Sequence, residues 1–182
     1  MAGKVINWFL HSKYPHLSVS FDSSLSKIYS YNKNGFSIES LKSIKKNNGI
    51  IKVLAVFVTT EQYIKLEEKI NWYRKHKSQT NYALRLLPAI YFNKNLFDTT
   101  SMDNVCSTFV NNLFYDAIKA KLITNRQYKL ISPNTVANST NKKLFPVYEG
   151  SSLQYNQLYI DSIVQTLIKN NIFKLLKECT NN

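Results

Sequence analysis

Two cysteines, four glycines and four prolines are all that 182 residues contain of these types. So few cysteines, Cys106 and Cys179, supply neither a disulfide framework nor paired metal-ligand spacing. Cys179 lies close to the end of the sequence, where chains usually fray, which argues against a bridge to Cys106. The scarcity of glycine and proline excludes a loop-dominated or collagen-like chain. No apolar run approaches the roughly 20 residues that a membrane-spanning helix needs. Val5–Leu10 is too short for a secretory core and is followed by His and Lys rather than small residues, so the expectation is a cytoplasmic, reduced protein. Acidic residues are also few: 11 against 24 Lys and Arg, a net charge of +13. Such an excess suits a polyanion partner. The basic residues are nevertheless scattered, grouping tightly only at Lys45-Lys46, Lys75-His76-Lys77 and Lys142-Lys143. No aromatic-interleaved basic motif of the single-stranded RNA type accompanies them, so solvated faces are the preferred reading over nucleic acid.

What is present is a folding composition, 44% hydrophobic and 13% aromatic, in a chain long enough for one well-buried core. The expectation is a single domain over 1–182, with a core at about 4–150 and a C-terminal amphipathic helix at about 151–178. Lys4–Leu10, the alternating Leu17–Phe21 and Lys27–Tyr31 read as strands of an antiparallel meander, with turns at Asp22–Leu25 and Asn32–Gly35. Ser37–Lys46 reads as a short helix stopped by Asn47-Asn48-Gly49. Ile50–Val58 is nearly all apolar and reads as a central strand. Thr59 and Gln62 make a capping box for a helix carrying Leu66, Ile70 and Tyr73 and ending near His76. Asn81–Phe92 reads as helix-like, Asn93–Thr100 as a polar loop, Asn125–Leu130 as a short turn capped by Thr124, and Ser132–Asn134 as a turn. A strand at Leu144–Tyr148 precedes the long helix, whose stripe is Leu158, Ile163, Leu167, Ile172 and Leu175. Strands, then helices, then a strand and a helix make an α+β layout.

The stretch Met102–Asp116 carries the strongest chemical signal. Ser101, Asp103 and Asn104 are candidate N-caps, and Phe109, Val110, Leu113, Ile118 and Leu122 recur at helical spacing. Cys106 thus falls at the first turn, where the helix dipole favours a thiolate; the plainer alternative is a small core residue. A nucleophilic thiol needs a base, and the base an orienting group. Of the three histidines, His76 stands in a basic run at a helix end and His11 in a turn. His16 opens the alternating strand His16–Phe21, from which a side chain can project over a neighbouring helix start.

Pro15-His16-Leu-Ser-Val-Ser-Phe21, Ile28-Tyr29-Ser30-Tyr31, Gly35-Phe36-Ser-Ile-Glu39, Val53–Val58 with Thr59-Thr60-Glu-Gln-Tyr63, Asn81-Tyr82, Val105-Cys106-Ser107-Thr108-Phe109-Val110 and Ser132-Pro133-Asn134 follow one another in an order that resembles the circularly permuted papain-like hydrolases. These are relatives of the NlpC/P60 cell-wall peptidases and of the lecithin-retinol acyltransferase group. The resemblance spans about residues 4–150. It implies an antiparallel sheet packed with helices, Cys106 as nucleophile, His16 as general base, and helix N-terminal amides around the oxyanion, with no metal or cofactor. In the family a polar residue on the strand after the His strand fills the orienting role. Here that strand offers Ser30 and Tyr31, neither the His nor Glu of the family pattern, and Glu39 is the nearest acid; Glu39 and Tyr31 are the two candidates.

The expected function is therefore a thiol hydrolase or acyltransferase acting on an amide or ester carbonyl. A peptide, a peptidoglycan-type substrate and a lipid acyl group all fit the same two residues. Two alternatives stand beside it: a non-enzymatic basic protein holding nucleic acid or an acidic partner, and a catalytically inactive member of the same fold.

Overall fold

The computed structural model describes residues 13–87, 102–119 and 131–180, the last ten of these by backbone course alone. The expected strand Lys4–Leu10, the Asn93–Thr100 loop, the Asn125–Leu130 turn, and His11, Ser101 and Leu122 lie outside the described residues. The architecture is α+β. Three strands, β1 (Val19–Ser20), β2 (Ile28–Asn32) and β3 (Gly35–Glu39), form an antiparallel sheet in that order. A second antiparallel pair joins β4 (Ile50–Ala55) to β7 (Phe145–Ser151). A two-residue parallel pair joins β5 (Asn81–Tyr82) to β6 (Asp103–Asn104). Among the described residues five helices accompany them: α1 (Leu41–Lys45), α2 (Thr60–Lys75), α3 (Cys106–Ile118), α4 (Pro133–Ala137) and α5 (Gln157–Thr180).

Helix α3 is the centre. Its residues from Cys106 to Phe114 are buried without interruption, because α2 packs on one side of it and β2 on another. Leu66, Ile70 and Tyr73 of α2 meet Phe109 and Leu113, and Tyr31, Phe36 and Tyr73 close around the Phe109 ring at 5.1–5.7 Å. Aromatic pairs at that spacing add to the roughly 1.5–3 kcal/mol that each large apolar side chain contributes on burial. The α2 start is built as the sequence reads: Thr59 accepts from the Gln62 amide and the Gln62 side chain accepts from the Thr59 amide.

Several elements differ from expectation. Residues 35–39 are strand rather than the start of a helix over Ser37–Lys46, because Gly35 at φ +79° closes a tight turn that folds β3 back on β2. The helix survives only as α1. Ile50–Val58 is shorter as a strand than expected: β4 stops at Ala55, and among the described residues it pairs with β7 alone. Its apolar run packs into a second core around Val147, Tyr155 and Ile160 and lines a cavity. Asn81–Phe92 is not helical at its start; Asn81 and Tyr82 pair with β6 and a 3-10 turn, Leu84–Leu86, follows. In α5 the buried stripe runs through Ile160 rather than Leu158, which is 78% exposed. The helix begins six residues later than Ser151, after a separate 3-10 turn at Ser152–Gln154, and that changes its phase.

Candidate active site

The site is made where the segment before β1 crosses the start of α3. The N-terminus of α3 is placed by its neighbours. Asp103 and Asn104 are occupied as β6, the Asn104 side chain accepts from Asn112 at 3.1 Å, and Arg85 pairs with Asp103 at 2.9 Å. They therefore do not cap the helix as the sequence suggests. Val105 is the N-cap, and Thr108 serves it, its hydroxyl oxygen accepting from the Val105 amide at 2.9 Å. Cys106 is consequently the first residue of the helix, 4% exposed and unpaired with any other cysteine.

His16 reaches this thiol. It lies three residues before β1, in backbone outside any strand, so its side chain is not held to the alternation of a strand. The Cys106 thiol and the His16 ring lie near enough for each to shift the titration of the other. Burial opposes ionisation of Cys106, but the ring and the charge of His16, with the amides of Leu17 and Ser107 donating to the sulfur, bring the thiol below its ordinary range. For His16 the crowding of protein atoms opposes charging, while the Cys106 thiol and its charge and the Glu39 carboxylate favour it, and the net direction is upward. The residue nonetheless keeps accessible surface, and it lines the cavity described below. The two directions agree: they favour a thiolate–imidazolium pair.

The third partner of the ring is Ser30. Its Oγ lies 2.6 Å from His16 Nε2 and 3.3 Å from the Leu17 carbonyl, and the residue has no exposed surface. With Nε2 engaged there, Nδ1 is the nitrogen left for the sulfur. When the ring is charged, Nε2–H donates to Ser30 Oγ and the Ser30 hydroxyl donates to the Leu17 carbonyl, so every proton has an acceptor.

Tyr31 and Glu39, the orienting candidates of the sequence reading, sit differently. Tyr31 points from the opposite face of β2 into the aromatic core, bonded to Asn104 and Thr80, and burial pushes its phenol far up. Glu39 reaches His16 as a charge and not as a hydrogen-bond partner; its Oε1 accepts from Asn32 at 3.3 Å. Asn32 is two residues beyond Ser30, on the same strand face, which is how the carboxylate comes to lie on the imidazole side of the sheet. His76 is remote from the site in role: it caps α2, its Nδ1 bonded to the Trp72 carbonyl at 2.8 Å and its ring stacked on Trp72.

Sequence reasoning undervalued Ser30. The signal that could have found it is parity: on a strand whose aromatic Tyr29 and Tyr31 share one face, Ser30 must share the other with the histidine segment. Tyr82 is a further neighbour, since its phenol feels the Cys106 charge and burial and that charge keep it protonated. Among the described residues no group of three His, Cys, Asp or Glu side chains could hold a metal ion, and no helix is long and apolar enough to cross a membrane. No family model matches the chain, and no curated protein or solved structure matches it significantly.

Proposed function

We propose that the protein is a thiol-dependent hydrolase or acyltransferase, with Cys106 as nucleophile, His16 as general acid and base, and Ser30 as the residue that orients the imidazole. The observation that carries this reading is the buried Cys106 at a helix start beside the His16 ring, which Ser30 holds at 2.6 Å, with the thiol shifted down and the imidazole shifted up. Inert core cysteines show the opposite, a thiol pushed up by burial alone. The circularly permuted papain-like architecture suggested by the sequence order is part of the same proposal.

The thiolate sulfur attacks a carbonyl carbon; the new S–C bond forms as the C=O π pair moves onto oxygen. The amide of Cys106 at the head of α3 and the protonated Tyr82 phenol are donors of the kind that stabilise that oxyanion. The intermediate collapses by breaking the bond to the leaving nitrogen or oxygen, which takes a proton from His16. Water, or an acceptor alcohol or amine, then gives its proton to His16, attacks the thioester carbonyl, and the Cys106 thiolate leaves. The cycle uses this chain's side chains and a second nucleophile only.

The test is active-site titration of the full chain with p-nitrophenyl acetate and with iodoacetamide. The expected result is a burst of nitrophenol and selective alkylation of Cys106, both lost in Cys106→Ala and strongly reduced in His16→Ala. Equal labelling of Cys106 and a free model thiol at pH 6 would sink the proposal.

A further inference from the structure

Between the two antiparallel sheets lies a cavity of about 1090 Å³. It exists because β1 pairs with β2 and β4 pairs with β7, with no ladder between β1 and β4 among the described residues. One stretch of chain, Tyr14–Ser18, runs from one sheet to the other, and all five of its residues line the space. The stretch belongs to no helix or strand, yet it carries His16. A functional side chain outside regular structure keeps its place only where packing and hydrogen bonds fix the backbone that bears it. At the end toward β1 the fixing is plain. Ser30 meets the His16 ring at 2.6 Å and the Leu17 carbonyl at 3.3 Å, and Val19 then pairs with Tyr29.

The other end is fixed by the other sheet. Tyr14, 7% exposed, donates its hydroxyl proton to Glu149 Oε1 at 2.6 Å. That length is usual for a hydroxyl on a carboxylate, a bond about twice as strong as a neutral one. Glu149 is itself held. It stands opposite Lys52 in the β4–β7 ladder, and its Oε2 lies 3.4 Å from Lys52 Nζ. Lys13 adds its ammonium to the same Oε1 that Tyr14 uses. Between this anchor and the imidazole stands one residue, and it is Pro15. Its ring locks its own φ and keeps Tyr14 out of the helical region, so few soft torsions separate the phenol from the imidazole.

We propose that Tyr14 and Glu149 are positioning residues for His16: a hydrogen bond to the second sheet sets where the imidazole stands beside Cys106. The inference rests on the thiol reading above, and it extends the site to a sheet that holds none of Cys106, His16 and Ser30. Because the stretch is tied to a different sheet at each end, the spacing of the sheets and the place of the base are set together.

Three variants of the full-length chain test this. Tyr14→Phe keeps the ring and loses the hydroxyl, Glu149→Ala loses the acceptor, and Glu149→Gln has an amide oxygen that still accepts from Tyr14. Two rates are read on each: iodoacetamide alkylation of Cys106 from pH 5 to 9, by peptide mass, and the nitrophenol burst with p-nitrophenyl acetate. A misplacement of about 1 Å can cost roughly a hundredfold, and Ser30 still holds the ring, so the expected loss is about tenfold. Tyr14→Phe and Glu149→Ala each slow both rates by that factor near pH 6. Their alkylation profiles move up toward that of an ordinary thiol and converge with wild type in alkali. Glu149→Gln keeps a neutral bond of roughly half the strength and falls between wild type and Glu149→Ala. Tyr14→Phe combined with Glu149→Ala is no slower than either alone, because the two changes break one bond. A role in stability alone lowers the melting temperature and leaves the profile in place, which overturns the proposal. An unchanged profile in Tyr14→Phe does so whatever its melting temperature, and so do losses that multiply in the double variant. If wild-type Cys106 labels like a free model thiol, the thiol reading falls and takes this one with it. An activated wild type beside equally activated Tyr14→Phe and Glu149→Ala removes the anchor alone.

Discussion

Replacing Ser30 by alanine tests the site at its least expected member. The hydroxyl sits 2.6 Å from His16 Nε2, and the residue is wholly buried, so no water on the Ser30 side takes its place. A hydrogen bond to a charged group contributes about 1.5–3 kcal/mol. His16 keeps accessible surface that water screens, so the low end, about 1.5 kcal/mol, applies. The imidazolium loses that stabilisation, and with it the thiolate it pairs with. At one decade per 1.36 kcal/mol, the ion-paired fraction falls about tenfold at a pH below the ordinary thiol range. The assay is the iodoacetamide rate at Cys106 from pH 5 to 9, followed by peptide mass so that Cys179 does not contribute. Because Cys106 is shifted down and His16 up, the wild-type rate should rise at lower pH than that of an ordinary thiol. In Ser30→Ala it should be about tenfold slower near pH 6 and converge with wild type in alkali, where the thiolate forms without help. Ser30→Thr, which keeps the hydroxyl, should stay close to wild type, and Tyr31→Phe should leave the profile in place because that phenol faces the core. An unchanged pH 6 rate in a folded Ser30→Ala protein refutes the assignment.

Gly35→Ala should destabilise the β2–β3 turn. An added Cβ would stand 2.3 Å from the Thr80 carbonyl oxygen at a φ of +79°, and Thr80 Oγ1 also accepts the Phe36 amide. A cost of at least about 2 kcal/mol, seen as a melting temperature lower by roughly 4–8 °C, is expected, and a variant that melts with wild type contradicts the geometry. Glu149 accepts from Lys13 and Tyr14, and with Lys52 nearby its carboxyl is held down at about 2. Its folded value lies below the unfolded one of about 4.3, so its contribution is present above that value and is lost as pH falls toward 2. Glu149→Gln should therefore flatten the acid limb of melting temperature against pH, and more so at low salt because the group is exposed; parallel acid limbs would disprove it.

The sequence carried some elements through strong local chemistry. The Thr59–Gln62 box is one, since each partner needs only residues three positions away. Cys106 at a helix start is another, readable from the periodicity behind it. Its cap was not, because Asp103 and Asn104 look like cap residues until β5 claims them from twenty-two positions upstream. The same long-range pairing removed the helix expected at Asn81. Parity explains the orienting residue. Tyr31 and Ser30 are adjacent, and one position moves a side chain to the other face of a sheet. The aromatic residue satisfies the core, which leaves the small one for the imidazole.

The gap between the sheets ties these points together. Had β4 paired with β1, hydrogen bonds would have drawn the space beside β1 closed. Instead β1 is only two residues long, and the segment before it is free to turn His16 toward α3 rather than hold it in a ladder. The weakness of β1 thus serves two ends. It releases the imidazole from the alternation of a strand, and it leaves open an apolar volume whose near end is that same imidazole. A longer β1 that paired with β4 would cost the molecule both its cavity and the reach of its base.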